Sequence, residues 1–287
     1  MKWAISSVIV SMLSLSVLAI PEPSPPDMEF TGYKSQLGPC EIGRAINIVG
    51  RGTNGNDLVG PIVVFEGDGA DGFVINGRNA PYQATGGTIE NLRICRKKGT
   101  NGGRAVLITA IDSAQRVGEI SCRRLKIFPE AALAGGTPGN WADGLVVDGS
   151  MLTTSGSAGI RRVTLDDVRV AGATGRSIFL HNAVHCCMRD VQVDPGGVAL
   201  ATFEIRDGQN IQGSNLIVHG DLVLSGSPVE VTLQGRFHTI RLGAGCRAVT
   251  IHGTAHFVYI DKGASGLFCG HISEGLRNDS MDFKVIR

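Results

Sequence analysis

Bulky anchors are scarce in this chain. Aromatic residues are 5% of 287, while glycines number 40. A helical bundle needs more large apolar side chains and tolerates fewer turn-formers, so this composition favours many short strands. Charge of either sign is also scarce: the formal net charge is +1, and no basic run exceeds the Arg-Lys-Lys at 96–98. That excludes the electrostatic footprint expected for binding nucleic acid or an anionic membrane. The seven cysteines, Cys40, Cys95, Cys122, Cys186, Cys187, Cys246 and Cys269, never take C-x-x-C spacing, which argues against a zinc knuckle. Their number is odd, so at least one is unpaired within the chain. Buried apolar thiols are the simpler reading for most of them.

Long apolar runs are absent except at the start. Lys2, an apolar stretch from Ala4 to Ile20 and then a Pro- and Ser-rich segment form the pattern of a secretory signal. Residues 1–19 are read as that signal and 20–39 as a linker or cap. The alternative is an uncleaved anchor at the short limit for spanning a bilayer. Export predicts a secreted, periplasmic or cell-surface protein, with no membrane contact once the signal is cleaved. Asn278-Asp279-Ser280 is a glycosylation sequon, relevant only in a eukaryotic host.

The remaining sequence has a rhythm. From Leu222 onward it divides into nines: LVLSGSPVE, VTLQGRFHT, IRLGAGCRA, VTIHGTAHF, VYIDKGASG and LFCGHISEG. The first position is always Leu, Val or Ile, and the third is Leu, Ile or Cys. Apolar residues one apart on either side of a polar one mark a strand with one buried face, and the small residues that follow supply a turn. Such short strands are unstable alone and must stack as a solenoid, two nines to a coil. No block carries G-G-x-G-x-D, so calcium along the turns is not expected.

Upstream, IENLRI (89–94), CRRLKI (122–127), LDDVRV (165–170), MRDVQV (188–193) and GSNLIV (213–218) share a second pattern, apolar-x-apolar after a polar corner. Asn91, Asp167, Asp190 and Asn215 recur at that corner and predict a ladder of turns. Partner strands lie between, with a long insertion at 129–142. The expected architecture is all-β: a single-stranded right-handed parallel β-helix of about nine coils over residues 40–275, with 276–287 as a cap or tail. At ~4.8 Å per coil it forms a rod of about 40 Å. A β-sandwich is the alternative, without the nine-residue period.

The run GGTIENLRI … GEISCRRLKI … GIRRVTLDDVRVAG … MRDVQVDPGG resembles the pectin-lyase-like right-handed β-helix proteins, which include pectate lyases, polygalacturonase-type hydrolases and phage tailspike-like depolymerases. The likeness spans roughly residues 40–275 and rests on strand and turn pattern. It implies a polysaccharide or cell-surface glycan as partner, no cofactor (calcium only for a lyase), and a homotrimer as in the tailspike-like members. Catalytic motifs do not carry over: WADG (141–144) matches the hydrolase signature only in part, and the arginine-rich lyase motif is missing.

Aligning LVVD (145–148), IFLH (178–181) and FEIR (203–206) turns Leu145, Ile178, Phe203, Val147, Leu180 and Ile205 inward. Val146, Phe179 and Glu204 then point outward, as do Asp148, His181 and Arg206. A carboxylate, an imidazole and a guanidinium beside a second carboxylate are the groups of acid–base glycan chemistry, with Asp148 and Glu204 about 10 Å apart. The other reading is an exposed ion-pair ladder. Trp141 is expected either as a sugar platform or as a plug, and Asp143 with Arg176 as the lip of a groove or a salt bridge. The candidate catalytic set is thus Asp143, Asp148, His181, Glu204 and Arg206, with Trp141, Arg176 and Phe179 binding substrate. His185 beside Cys186-Cys187 has no evident third ligand, and His238, His252, His256 and His271 are read as falling in different columns, so no metal site is expected. Two functions remain open: a secreted protein that binds and, as an enzyme, cleaves a polysaccharide, or a non-catalytic adhesin, spike segment or scaffold.

Overall fold

A computed structural model describes residues 28–31, 34–42, 47–51, 60–76, 84–111, 117–129, 138–152, 159–195 and 202–287. The expected signal and most of the 129–142 insertion lie outside the described residues. The described elements are strands, with no helix among them, and every pairing between strands is parallel.

Three ladders organise these strands. The first joins Met28–Phe30, Asn47–Gly50 and the leading parts of Ala84–Arg96, Val117–Pro129, Thr164–Ala171 and Cys187–Asp194. It continues through Gln209–Ser225, Val229–Leu242, Val249–Ile260 and Gly266–Asn278, and ends at Phe283–Ile286. The second joins Lys34–Leu37, Ile62–Phe65 and the parts of the same long strands that follow their corner. The third joins Cys40–Ile42, Phe73–Ile75, Arg104–Thr109, Asp143–Asp148, Ile178–His181 and Thr202–Arg206, then the tails of the last four long strands. The chain visits the ladders in the same order on each pass. The ladders extend past both expected boundaries: two strands lie within the presumed linker, and Phe283–Ile286 adds a further strand at the presumed tail.

The five apolar-x-apolar motifs stack in register. Leu92, Leu125, Val168, Val191 and Leu216 form one buried column, and Ile94, Ile127, Val170, Val193 and Val218 another. Before each column the chain turns through a left-handed residue: Asn91 (φ 57°), Asp167 (52°), Asp190 (54°) and Asn215 (51°), as the turn ladder predicts. Arg124 (φ 50°) occupies the same corner, although arginine lacks the short side chain that makes this conformation inexpensive for Asn and Asp.

After Asn215 the corner changes. Gly213 pairs with Leu233 but Leu216 with Gly235, so two residues, Ser214 and Asn215, face one. From there Gly235, Gly253 and Gly270 stack at the turn. A Cβ on Gly253 would lie 1.8 Å from the Gly235 carbonyl oxygen, and Gly253 and Gly270 have φ of 137° and 151°, a region open essentially only to glycine.

The nine-residue blocks alternate between the first and third ladders, and residues two blocks apart pair: Thr232 with Thr250, Ile240 with Val258. Their first and third positions are buried, as expected. The seventh is buried too, in Phe237, Cys246, Ala255 and Ala264, so each block contributes three inward residues. The last block departs from the pattern. Val249 pairs with Gly266, one residue short of two blocks, and Phe268 and Ile272 face inward instead of Leu267 and Cys269. With a side-chain period of two, a one-residue slip exchanges the faces.

Thiol burial follows the simpler reading for Cys95, Cys122, Cys186 and Cys246, whereas Cys187 is exposed. Burial pushes the Cys122 thiol up to about 12 and the Cys186 thiol to about 11, which keeps both protonated and unreactive at neutral pH.

Candidate functional site

Two outward surfaces carry chemistry. The first is the outer face of the third ladder. Its register is the one the sequence predicts: Leu145, Ile178 and Phe203 pair in line, as do Val147, Leu180 and Ile205, all buried. Val146, Phe179 and Glu204 stack on the opposite face, yet they are covered rather than open. Leu107, Val146 and Phe179 form a buried apolar cluster outside the main core, with Val74 against it.

Each polar candidate on this face is held by a neighbour. Asp143 accepts bonds from the Arg176 backbone N–H at 2.7 Å, from Nε at 3.3 Å and from Nη2 at 3.1 Å. The salt-bridge reading of that pair therefore stands. Arg176 lies 3.8 Å over the Phe179 ring, so Phe179 serves as a floor for arginine rather than an open sugar platform. Glu204, 8% exposed, accepts from Arg206 Nη2 and Ser225 Oγ, both at 2.7 Å. Arg206 thus pairs with Glu204 on its own strand instead of continuing the Asp148–His181 column. His181 stacks on Phe179 at 5.4 Å, donates through Nδ1 to Asp148 at 3.1 Å and sits 3.7 Å from Asp207 through Nε2. Asp207 was not among the sequence candidates. It lies one residue past the aligned strand, in a left-handed turn (φ 51°) where its carboxylate also accepts from the Ser227 backbone.

Trp141 belongs to neither surface. It is 1% exposed, packed edge-on to Phe65 at 5.9 Å in the main core, with the Arg96 guanidinium 4.8 Å from its ring. Arg96 in turn donates to the Ala70 and Gly67 carbonyls. The sugar-platform expectation is corrected: the ring closes the stack where the long insertion rejoins it, because a large apolar surface gains more from burial there than from solvent.

The second surface is the outer face of the second ladder near its C-terminal end. A groove of about 600 Å³ runs there, lined by His219, Arg236, His238, Thr254, His256 and His271 among others. The pairing of Phe237 with Ala255 and of Thr239 with Phe257 puts His238 and His256 in one column, and His219 lies beside His238 at a register shift. The four block histidines do not form one column, as expected, but His238 and His256 share one, which corrects the reading that their block positions all differ. Both hold the eighth position of blocks two apart, and that spacing was the signal. His252 alone is elsewhere, on the first ladder beside Gln234. The His238 and His256 rings stack at 5.2 Å and 25°. His256 Nδ1 donates to Glu274 at 2.8 Å, His238 Nδ1 lies 3.1 Å from Thr239 Oγ1, and His219 Nε2 is 3.5 Å from Asp194. Among the described residues no group of three or more His, Cys, Asp or Glu is placed to hold a metal ion.

Set against known proteins, the chain stands apart: no family model, no curated protein and no solved structure matches it.

Proposed function

We propose that the chain winds as one right-handed parallel β-helix of about nine coils, of the pectin-lyase-like kind, and works outside the cell as a polysaccharide-binding rod. The repeated order of the three ladders supports the helix, and parallel crossovers of this type are right-handed in nearly all cases. The observation that carries the binding reading is the groove of the second ladder. It crosses several stacked strands at ~4.8 Å per step, and it offers flat imidazole faces with hydrogen-bonding edges, the combination that suits an extended sugar chain. The expected homotrimer and the secreted location belong to the same proposal.

Cleavage at the third-ladder face is the second reading. It is favoured by His181 lying between Asp148 and Asp207, an imidazole poised among carboxylates. It is disfavoured by Asp143 and Glu204, whose oxygens already accept from arginine. Incubation with a polysaccharide panel, with and without calcium, separates the two. Binding without new reducing ends or unsaturated-sugar absorbance, and lost in His238→Gln, supports the rod. New reducing ends abolished by Asp148→Asn would instead make the protein a hydrolase, and absorbance a lyase.

A further inference from the structure

Four of the seven histidines line the groove of the second ladder, which is only a small part of the surface. We propose that this groove is a proton-gated site for tetrahedral oxyanion groups, sulfate or phosphate esters carried on a glycan. The proposal rests on the binding reading above and names its ligand chemistry.

The argument begins with the two columns of the groove. Arg236, Thr254 and His271 stack in one, and His238 and His256 in the other, with His219 and Ser273 beside them at register shifts. Residues two apart on a strand share a face, so Arg236 and His238 lie side by side, as do Thr254 and His256. Glu274 accepts from Nδ1 of His256, so Nε2 of that ring gains a donor when it takes up a proton, and Thr239 Oγ1 lies 3.1 Å from Nδ1 of His238, whose protonated ring donates from both nitrogens. Two such donors one strand step apart, beside a permanent guanidinium and hydroxyls, match an anion with several oxygens in three dimensions better than a planar carboxylate.

The surrounding charges set the gate. Asp194 on the neighbouring strand is engaged by Arg169 at 2.8 Å and by Gln192, with His219 at 3.5 Å, and Glu274 is engaged by His256. Asp221, around the next corner, pairs with Arg241 at 3.1 Å. With neutral imidazoles Arg169 offsets Asp194, Glu274 opposes an anion and Arg236 attracts it. Protonation of the column makes the groove positive, and like-signed charges in a cleft raise the local concentration of the opposite ion.

The test is binding of the full-length protein to immobilised dextran sulfate, with neutral dextran and carboxymethylated dextran of matched charge as comparisons. Affinity for dextran sulfate should rise about tenfold from about pH 7.5 to about pH 5.5. The double variant His238→Gln/His256→Gln should flatten that rise, and His252→Gln, outside the groove, should retain it. Circular dichroism checks that each variant is folded, and Arg236→Gln, with no histidine changed, should lower affinity at both pH values. Competition by inorganic sulfate assigns the source: displacement at equal sulfate concentration means a free ion, and resistance means an ester on the polymer. A pH-independent affinity, an undiminished rise in the double variant, or an equal rise with the carboxymethylated polymer overturns the inference. If a panel polysaccharide still binds through His238 while dextran sulfate does not, the glycan reading survives and the oxyanion site fails. Absence of binding to any polymer ends both.

Discussion

The passes upstream of residue 207 and those downstream of it have the same three ladders but different economies of chain. Upstream, Leu125 pairs with Val168 across a gap that contains a whole third-ladder strand and its loops, and the gap from Val168 to Val191 is barely half as long. Downstream, partners from Leu233 to Ile260 keep one spacing, two nine-residue blocks, throughout. The difference lies at the corners. Upstream corners use a side-chain-bearing residue in the left-handed region, and that residue is extra to the ladder. Downstream, glycines turn without it, so the coil loses a residue and the nine-residue rhythm becomes visible. A regular sequence period therefore reports tight corners, while an irregular one reports the same ladders with insertions.

The largest way to break this comparison is at the upstream insertion. Trp141 fills the core where the longest loop rejoins the stack, and no downstream pass needs such a plug. Trp141→Ala should cost about 3–5 kcal/mol, the range for emptying a large aromatic site. It would also leave the buried Arg96 guanidinium without its ring. Urea denaturation followed by two probes should show the upstream passes melting first, while the block region holds. A single coincident transition at unchanged midpoint would mean the ring is not a structural plug.

Next comes the corner itself. Gly253→Ala puts a methyl group against the Gly235 carbonyl at a backbone angle that alanine rarely adopts, and should destabilise by ~3 kcal/mol. Asp190→Ala, at the equivalent upstream corner, keeps an accessible left-handed conformation and should cost only about 1–2 kcal/mol. Equal losses in the two variants would dissolve the distinction between the corner types.

The same contrast explains what was legible in the sequence. The five apolar-x-apolar motifs and the nine-residue blocks gave inward columns correctly because a strand's period of two leaves no freedom once one face is buried. The last block misled because one missing residue, invisible as a pattern break, exchanges its faces. Cover was not legible at all. Phe179 and Val146 point outward as expected, but whether an outward residue is wet depends on side chains reaching over it, here Arg176 and Arg206. Partner choice was equally hidden: Arg206 turns to Glu204 and Ser225 on the level beside it rather than up the histidine column. The histidine groove was missed, although part of its signal was present. His238 and His256 are two blocks apart, and His219 comes beside them through two register shifts, at Ser214-Asn215 and at His219-Gly220.

The smallest effect separates the two regions by acid sensitivity. On the first ladder, Asp166 accepts from Arg189 Nε at 2.8 Å and Nη2 at 2.9 Å. That bond, with the nearby charges of Arg189, Arg123 and Arg124, holds the Asp166 carboxyl below its ordinary value against a partial opposing effect of burial. The sign follows from linkage. A folded value below the unfolded one adds stability that is complete above the ordinary carboxylate range and is lost as the pH falls through the lowered value. Arg189 is exposed and Asp166 half-buried, so solvent screens the pair and the gain falls below that expected at Asp190. The matching downstream column runs Gln234, His252 and Cys269 and contains no carboxylate. Asp166→Asn should therefore lower stability slightly at neutral pH and change little near pH 3, which flattens the decline between about pH 5 and pH 3. A variant that loses stability equally at pH 7 and pH 3 would show that Asp166 acts through packing in the stack, and that the upstream ladder owes none of its acid sensitivity to this pair.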